Sequence, residues 1–179
     1  MKKKKALNLQ AERLLLQKKN PIMVSACLLG ICCRYDGKHS LCSDLLDFVS
    51  SHPFLPLCPE QLGGLPTPRF PADIKGGDGY DVLSGNARLI NTEGKDVTDA
   101  FKNGAEKALK LIQLAGVEIA IMKDKSPSCG LKTPYCEKPN GAGVGVTAAC
   151  LRTSGIRIIE LGSDDTFSFS NILKLMNKH

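Results

Sequence analysis

Short apolar runs recur along the chain, each closed by polar or turn-forming residues. Residues 21–26, 54–58, 117–122 and 156–161 carry the length and branched-aliphatic content of buried strands. Between them apolar positions fall at helical spacing. Ser43 is placed to cap a helix over 44–51, with Asp44 in its first turn. Thr98 is placed to cap a longer one running to Ala115, where Gly116 ends it. A third helix covers 146–153 and is stopped by Ser154-Gly155. Residues 59–79, rich in Pro and Gly, read as a long functional loop, and 82–90 as a hairpin around Ser84-Gly85-Asn86. Residues 6–19 carry leucines at 7, 14, 15 and 16 and predict an amphipathic helix broken at Asn20-Pro21. Residues 164–178 predict a terminal turn and helix. Strands alternating with helices predict an α/β fold: a single three-layer domain over 21–179 with a mostly parallel sheet and right-handed crossovers. Residues 1–20 form a basic N-terminal extension.

The strand reading changes the meaning of three cysteines. Cys27 closes the first apolar run, Cys58 the second, and Cys129 sits just past the third, in Ser126-Pro127-Ser128-Cys129-Gly130. Parallel strands would bring all three thiols to the carboxyl edge of one sheet, where open α/β folds place their sites. Thiolates are soft ligands, so three of them suit zinc or an iron–sulfur cluster with one coordination position open. The spacing Cys27, Cys32, Cys33 matches no standard zinc or ferredoxin motif, so any metal site is assembled from distant segments. Cys32, Cys42, Cys136 and Cys150 read as small packing residues. Cys33 stands between the two classes.

Composition narrows the function further. The chain has 179 residues, eight of them cysteine, with 42% hydrophobic and 23% charged content, as in an ordinary globular domain. No apolar run reaches the roughly 18 residues of a membrane span, and no apolar core of a signal peptide follows the basic start. These features predict a cytoplasmic protein whose cysteines are thiols or metal ligands rather than disulfides. The net charge is +6, with Lys2 to Lys5, Lys18 and Lys19 supplying much of it, so nucleic-acid contact is an expectation only for the basic arm. With no Trp and few aromatic residues, the composition supplies a stacking platform poorly. The glycine runs at 76–79 and 141–145 lack the form of a phosphate or dinucleotide loop. Arg34 with Asp36, and Arg69 with Asp73, read either as substrate-orienting groups or as ion pairs that fix loops. His39 is a possible partner for a nucleophilic cysteine but reads better as a surface residue. A noncatalytic metal-binding or RNA-associated module, and a sulfurtransferase using Cys129 as nucleophile without metal, are the competing functional readings.

Three motifs together carry a family resemblance. Val24-Ser25-Ala26-Cys27-Leu28-Leu29-Gly30 with Cys33-Arg34-Tyr35-Asp36-Gly37 is the first. The second runs Cys58-Pro59-Glu60-Gln61-Leu62-Gly63-Gly64-Leu65-Pro66-Thr67-Pro68-Arg69. Ser126-Pro127-Ser128-Cys129-Gly130 is the third, and Gly145-Val146-Thr147-Ala148-Ala149 also fits. Over residues 22–160 the chain resembles the bacterial domain of unknown function 523 family, which includes the 2-thiouracil desulfidases. The resemblance implies a [4Fe–4S] cluster held by Cys27, Cys58 and Cys129. It implies nonredox removal of sulfur from a small thiolated substrate such as a thiouracil-like nucleobase, the sulfur binding the open iron and leaving as hydrosulfide. Glu60 would act as acid–base carboxylate and Ser128 as the serine beside the third ligand. The chain departs from the family pattern after Cys129, where Pro134-Tyr135-Cys136 stands in place of an Asp-Gly-Thr-Phe-Ser-Gly-like stretch.

Overall fold

Four parallel strands form the centre of the computed structural model, which describes residues 20–138 and 142–162. They are β1 (Ile22–Ser25), β2 (Phe54–Leu57), β5 (Ile119–Lys123) and β6 (Arg157–Leu161), in the order β2-β1-β5-β6. Register is parallel throughout, with Met23 opposite Leu55 and Ala120, and Ile121 opposite Ile159. Alternation along the strands divides the core. Ile22, Val24, Ile119 and Ile121 meet Leu45, Phe48 and Val49 of helix α1 (Ser43–Val49) on one face. Met23, Leu57, Ala120 and Met122 face Ala108 and Ile112 of α4 (Thr98–Ala115) and Ala148 and Leu151 of α5 (Val146–Thr153) on the other. Three layers result, as the alternation of strands and helices predicts. Pro56 lies in the edge strand β2, where its missing N–H interrupts no ladder.

The segment between β2 and α4 departs from the sequence expectation. Residues 59–79 are not structureless: α2 (Pro59–Leu62) and strand β3 (Ala72–Lys75) lie within them. Residues 82–90 are not a hairpin. Helix α3 (Gly79–Leu83), closed by a capping box between Asp78 and Asp81, leads into β4 (Arg88–Asn91), which pairs antiparallel with β3. The four-residue strands flank a helix of similar length, so local periodicity had too few residues to separate them. Ile74 and Leu89 of this small sheet, with Val82 of α3, pack on Phe101 and Ala105 of α4 and Val146 of α5.

Two helix caps also differ. Ser43 lies inside the first turn of α1, with Cys42 in the cap position. Thr98 begins α4, but its hydroxyl accepts from Leu89 N (2.9 Å) and ties the helix to β4, while Asp96 accepts from Thr98 N (2.9 Å). Gly116 ends α4 at φ 68°, a left-handed turn that suits glycine. Among the described residues no helix is long and apolar enough to cross a membrane. The helices expected at 6–19 and 164–178 lie outside the described residues.

Candidate active site

Chain order decides where the sheet opens. β2 lies on one side of β1 and β5 on the other, so the connections from β1 and β5 leave toward opposite faces, and a crevice forms between their carboxyl ends. Cys27 lies in the 3₁₀ turn Ala26–Leu29 directly after β1. Cys58 follows β2 at the start of α2. Cys129 sits in the turn after β5. The three thiols, with Cys33, line one cavity of about 510 Å³. All eight cysteines are free. Cys42 is buried and Cys136 and Cys150 half-buried, but Cys32 is exposed rather than packed, because the loop after the 3₁₀ turn directs it outward.

The cavity walls are tied together by side chains the sequence had left ambiguous. Arg69, only 6% exposed in its side chain, donates from Nε to Glu60 Oε2 (2.7 Å) and from both terminal nitrogens to Cys33 O (3.1 Å each). One guanidinium thereby joins the Cys33 loop to the helix that follows Cys58. Glu60, 15% exposed, lines the cavity with Oε1 outside that pair. Arg69 is therefore paired with Glu60 and not with Asp73, which sits by the exposed Lys75. Arg34 and Asp36 do form an ion pair at the rim (3.0 Å). At the switch point, Ser25 Oγ accepts from Lys123 N (3.1 Å) and joins the ends of β1 and β5 beside Cys129.

The turn carrying Cys129 separates its two serines. Ser126 faces the cavity, and its Oγ accepts from Ser128 N (3.1 Å) and Cys129 N (3.0 Å). With its lone pairs so engaged, the Ser126 hydroxyl hydrogen is free to donate elsewhere. Ser128 sits deeper, behind Cys129. It is fully buried, shares a hydrogen bond with Thr147 Oγ1 (2.8 Å), and does not line the cavity. Ser128 therefore stands behind the cavity wall, beside the thiol of Cys129. Three backbone bonds fix this turn on the start of α5: Gly145 N to Gly130 O, Val146 N to Pro127 O and Ala148 N to Ser128 O. A Cβ on Gly145 would lie 2.6 Å from Ser128 O. Gly145 thus serves close approach of backbone to backbone, where any side chain would push the Cys129 turn off α5.

Burial and mutual proximity oppose ionisation of Cys33, Cys58 and Cys129 in the metal-free protein. Cys129 is pushed up to about 12, first by desolvation and then by Cys58 and Glu60. Cys33, hydrogen-bonded to Cys27 and Cys58, is pushed up to about 11, and Cys58 is raised as well. This is the reverse of an activated nucleophilic cysteine. His39 accepts from Leu41 N on the surface, away from the cavity. Among the described residues no three His, Cys, Asp or Glu side chains group as ligands of a single ion. The ligands of a cluster stand on separate irons around it and need not meet at one point. The donor set fits a cationic cluster, whose charge would reverse the penalty that keeps buried thiols protonated.

Sequence reasoning missed Ser25, Ser126 and the Lys123–Asp124 ion pair, all of which line the cavity. Their signal was the one that marked the cysteines: each stands at or just after a strand end.

The profile of the 2-thiouracil desulfurase family matches residues 22–161. The uncharacterized protein YbbK of Bacillus subtilis strain 168 is 43% identical over 141 residues, covering 77% of this chain and 93% of that protein. A solved structure of the [4Fe-4S]-dependent thiouracil desulfidase TudS is similar with a TM-score of 0.70 and 38% identity, covering 88% of this chain and 99% of that one.

Proposed function

The chain belongs to the 2-thiouracil desulfurase family, and from that premise we propose that it is an iron–sulfur-dependent desulfidase acting on a small thiolated heterocycle. The observation that carries the reading is the convergence of Cys27, Cys58 and Cys129, from three strand ends, on one cavity. In this reading those cysteines hold a [4Fe–4S] cluster. Bound there, the cluster supplies a Lewis-acidic iron with a free position for sulfur. The overall reaction is hydrolytic: a thione and water give the corresponding carbonyl compound and hydrosulfide, with no net redox change.

The chain's own residues handle the water and its proton. Glu60 Oε1 accepts a proton from the attacking water while Oε2 stays on Arg69, which fixes the carboxylate's direction. Ser126 donates its hydroxyl into the cavity, toward the substrate or the departing sulfur. Ser128 acts behind it, holding the Cys129 turn on Thr147. Eight free thiols suit the reducing cytoplasm, where we place the protein.

Anaerobic reconstitution with iron and sulfide tests the proposal. We expect about four irons per chain, and release of hydrosulfide and uracil from 2-thiouracil. Cys27→Ala, Cys58→Ala and Cys129→Ala should each lose the cluster's visible absorption. A fully loaded protein that releases no sulfide from any thione would overturn the function. Alanine variants that still bind a full cluster would overturn the ligand assignment.

A further inference from the structure

Aromatic residues are scarce in this chain, six Phe and three Tyr, yet the fold brings Tyr35, Phe70 and Tyr135 to the mouth of the thiol-lined cavity. They come from three separate loops. Their exposures are 42%, 55% and 44%, high for large apolar rings. Their backbones are nonetheless fixed. Arg69 N donates to Tyr35 O (2.8 Å), which holds the Tyr35 and Phe70 loops side by side. Ile74 N donates to Tyr135 O (2.9 Å), which ties the third loop to β3. The Arg34 guanidinium lies 5.8 Å from the centre of the Tyr35 ring. Rings left exposed on a pinned backbone are apolar surface prepared for contact.

The cavity fits the same idea. Its volume of about 510 Å³ falls in the range of small-molecule sites, and the thiols occupy its floor rather than its mouth. A planar heteroaromatic ring whose sulfur points to the floor would leave its faces toward the rim. Such a ring gains from stacking on Phe or Tyr, by roughly tenfold or more in affinity per ring contact. An open-chain thione has no face to offer and gains nothing there.

We propose that Tyr35, Phe70 and Tyr135 form an aromatic rim that grips the ring of the substrate, and so select heteroaromatic thiones over open-chain ones. These are positioning residues. The inference rests on the desulfidase reading for its substrate class, but its test has a separate readout. In the reconstituted protein, kcat/KM for 2-thiouracil is compared with that for thiourea, alongside equilibrium dialysis of uracil. For Phe70→Ala and for Tyr35→Ala we expect the 2-thiouracil to thiourea preference to fall about tenfold. The change should lie mainly in KM, and uracil binding should weaken in parallel. Phe70→Tyr should restore both, since it keeps the ring. Unchanged preference and unchanged uracil affinity in the alanine variants, with wild-type cluster content, would overturn the rim. If wild type binds uracil through the rim but releases no sulfide from either thione, the rim stands and the desulfidase reading falls.

Discussion

Arg69 shows how one side chain serves both stability and the site. It satisfies Glu60, the Cys33 carbonyl and the Pro66 carbonyl from a largely buried position. Removing it leaves a buried carboxylate without its partner, which typically costs about 3 kcal/mol. Arg69→Ala should lower the urea midpoint accordingly. Arg69→Lys should not restore it, because an ammonium cannot reproduce the planar fork that meets two acceptors at once. Cys33 gives a second test. We expect Cys33→Ala to keep the cluster that Cys27→Ala loses, read as iron per chain, since Cys33 reaches the cavity from a loop and not from a strand end. The raised thiols also set a pH dependence for the metal-free protein. The folded state holds the protons of Cys33 and Cys129 up to about 11 and 12, against 9.0 for an ordinary thiol. Their contribution is therefore complete below pH 9.0 and is lost as pH rises from there toward 12. Urea midpoints of the metal-free protein should fall between pH 8 and pH 10.5, and Cys129→Ala should reduce that slope. The cysteines and Glu60 were legible from the chain, because Cys and Glu just past strand ends are chemically distinct. Which of two serines two residues apart faces the cavity was not, since that is set by how the turn seats on α5.

At the level of elements, the placement of Cys58 and Glu60 depends on two glycines. A Cβ on Gly63 would come 2.0 Å from Ala100 O, and one on Gly104 would come 2.1 Å from Pro59 O. Helices α2 and α4 therefore touch backbone to backbone, which only glycine permits. Gly104→Ala should push α2 outward and cost about 1–3 kcal/mol, the usual range for overpacking. Circular dichroism melts would show the lost stability, and iron content after reconstitution should fall because Cys58 moves with α2. Helix α4 was readable because it repeats its period over 18 residues, and the central strands because each is a nearly continuous apolar run. The β3–β4 pair was not. Its strands, Ala72-Asp73-Ile74-Lys75 and Arg88-Leu89-Ile90-Asn91, are not apolar runs; they are separated by α3 and pair while packed on α4 and α5.

Across the whole molecule, the described cavity-lining residues run from Ser25 to Tyr135, all inside the family match at 22–161. Deleting residues 1–19 should therefore leave hydrosulfide release from 2-thiouracil unchanged. Loss of salt-dependent RNA binding on the same deletion would instead give the basic arm a separate role. The sequence alone determined the α/β class, the parallel core strands and the candidate thiols, because alternation, strand length and strand-end position are local properties. It also carried the motifs that mark the family. Tertiary structure alone decided that β1 and β5 sit at the switch point and that three distant thiols share one cavity. It decided that Arg69 clamps Glu60 rather than pairing with Asp73, and that a composition poor in aromatics still yields a ring of them at one mouth. Those outcomes depend on strand order and loop packing. Both arise from contacts between segments far apart in the chain, where no local pattern records which residues will meet.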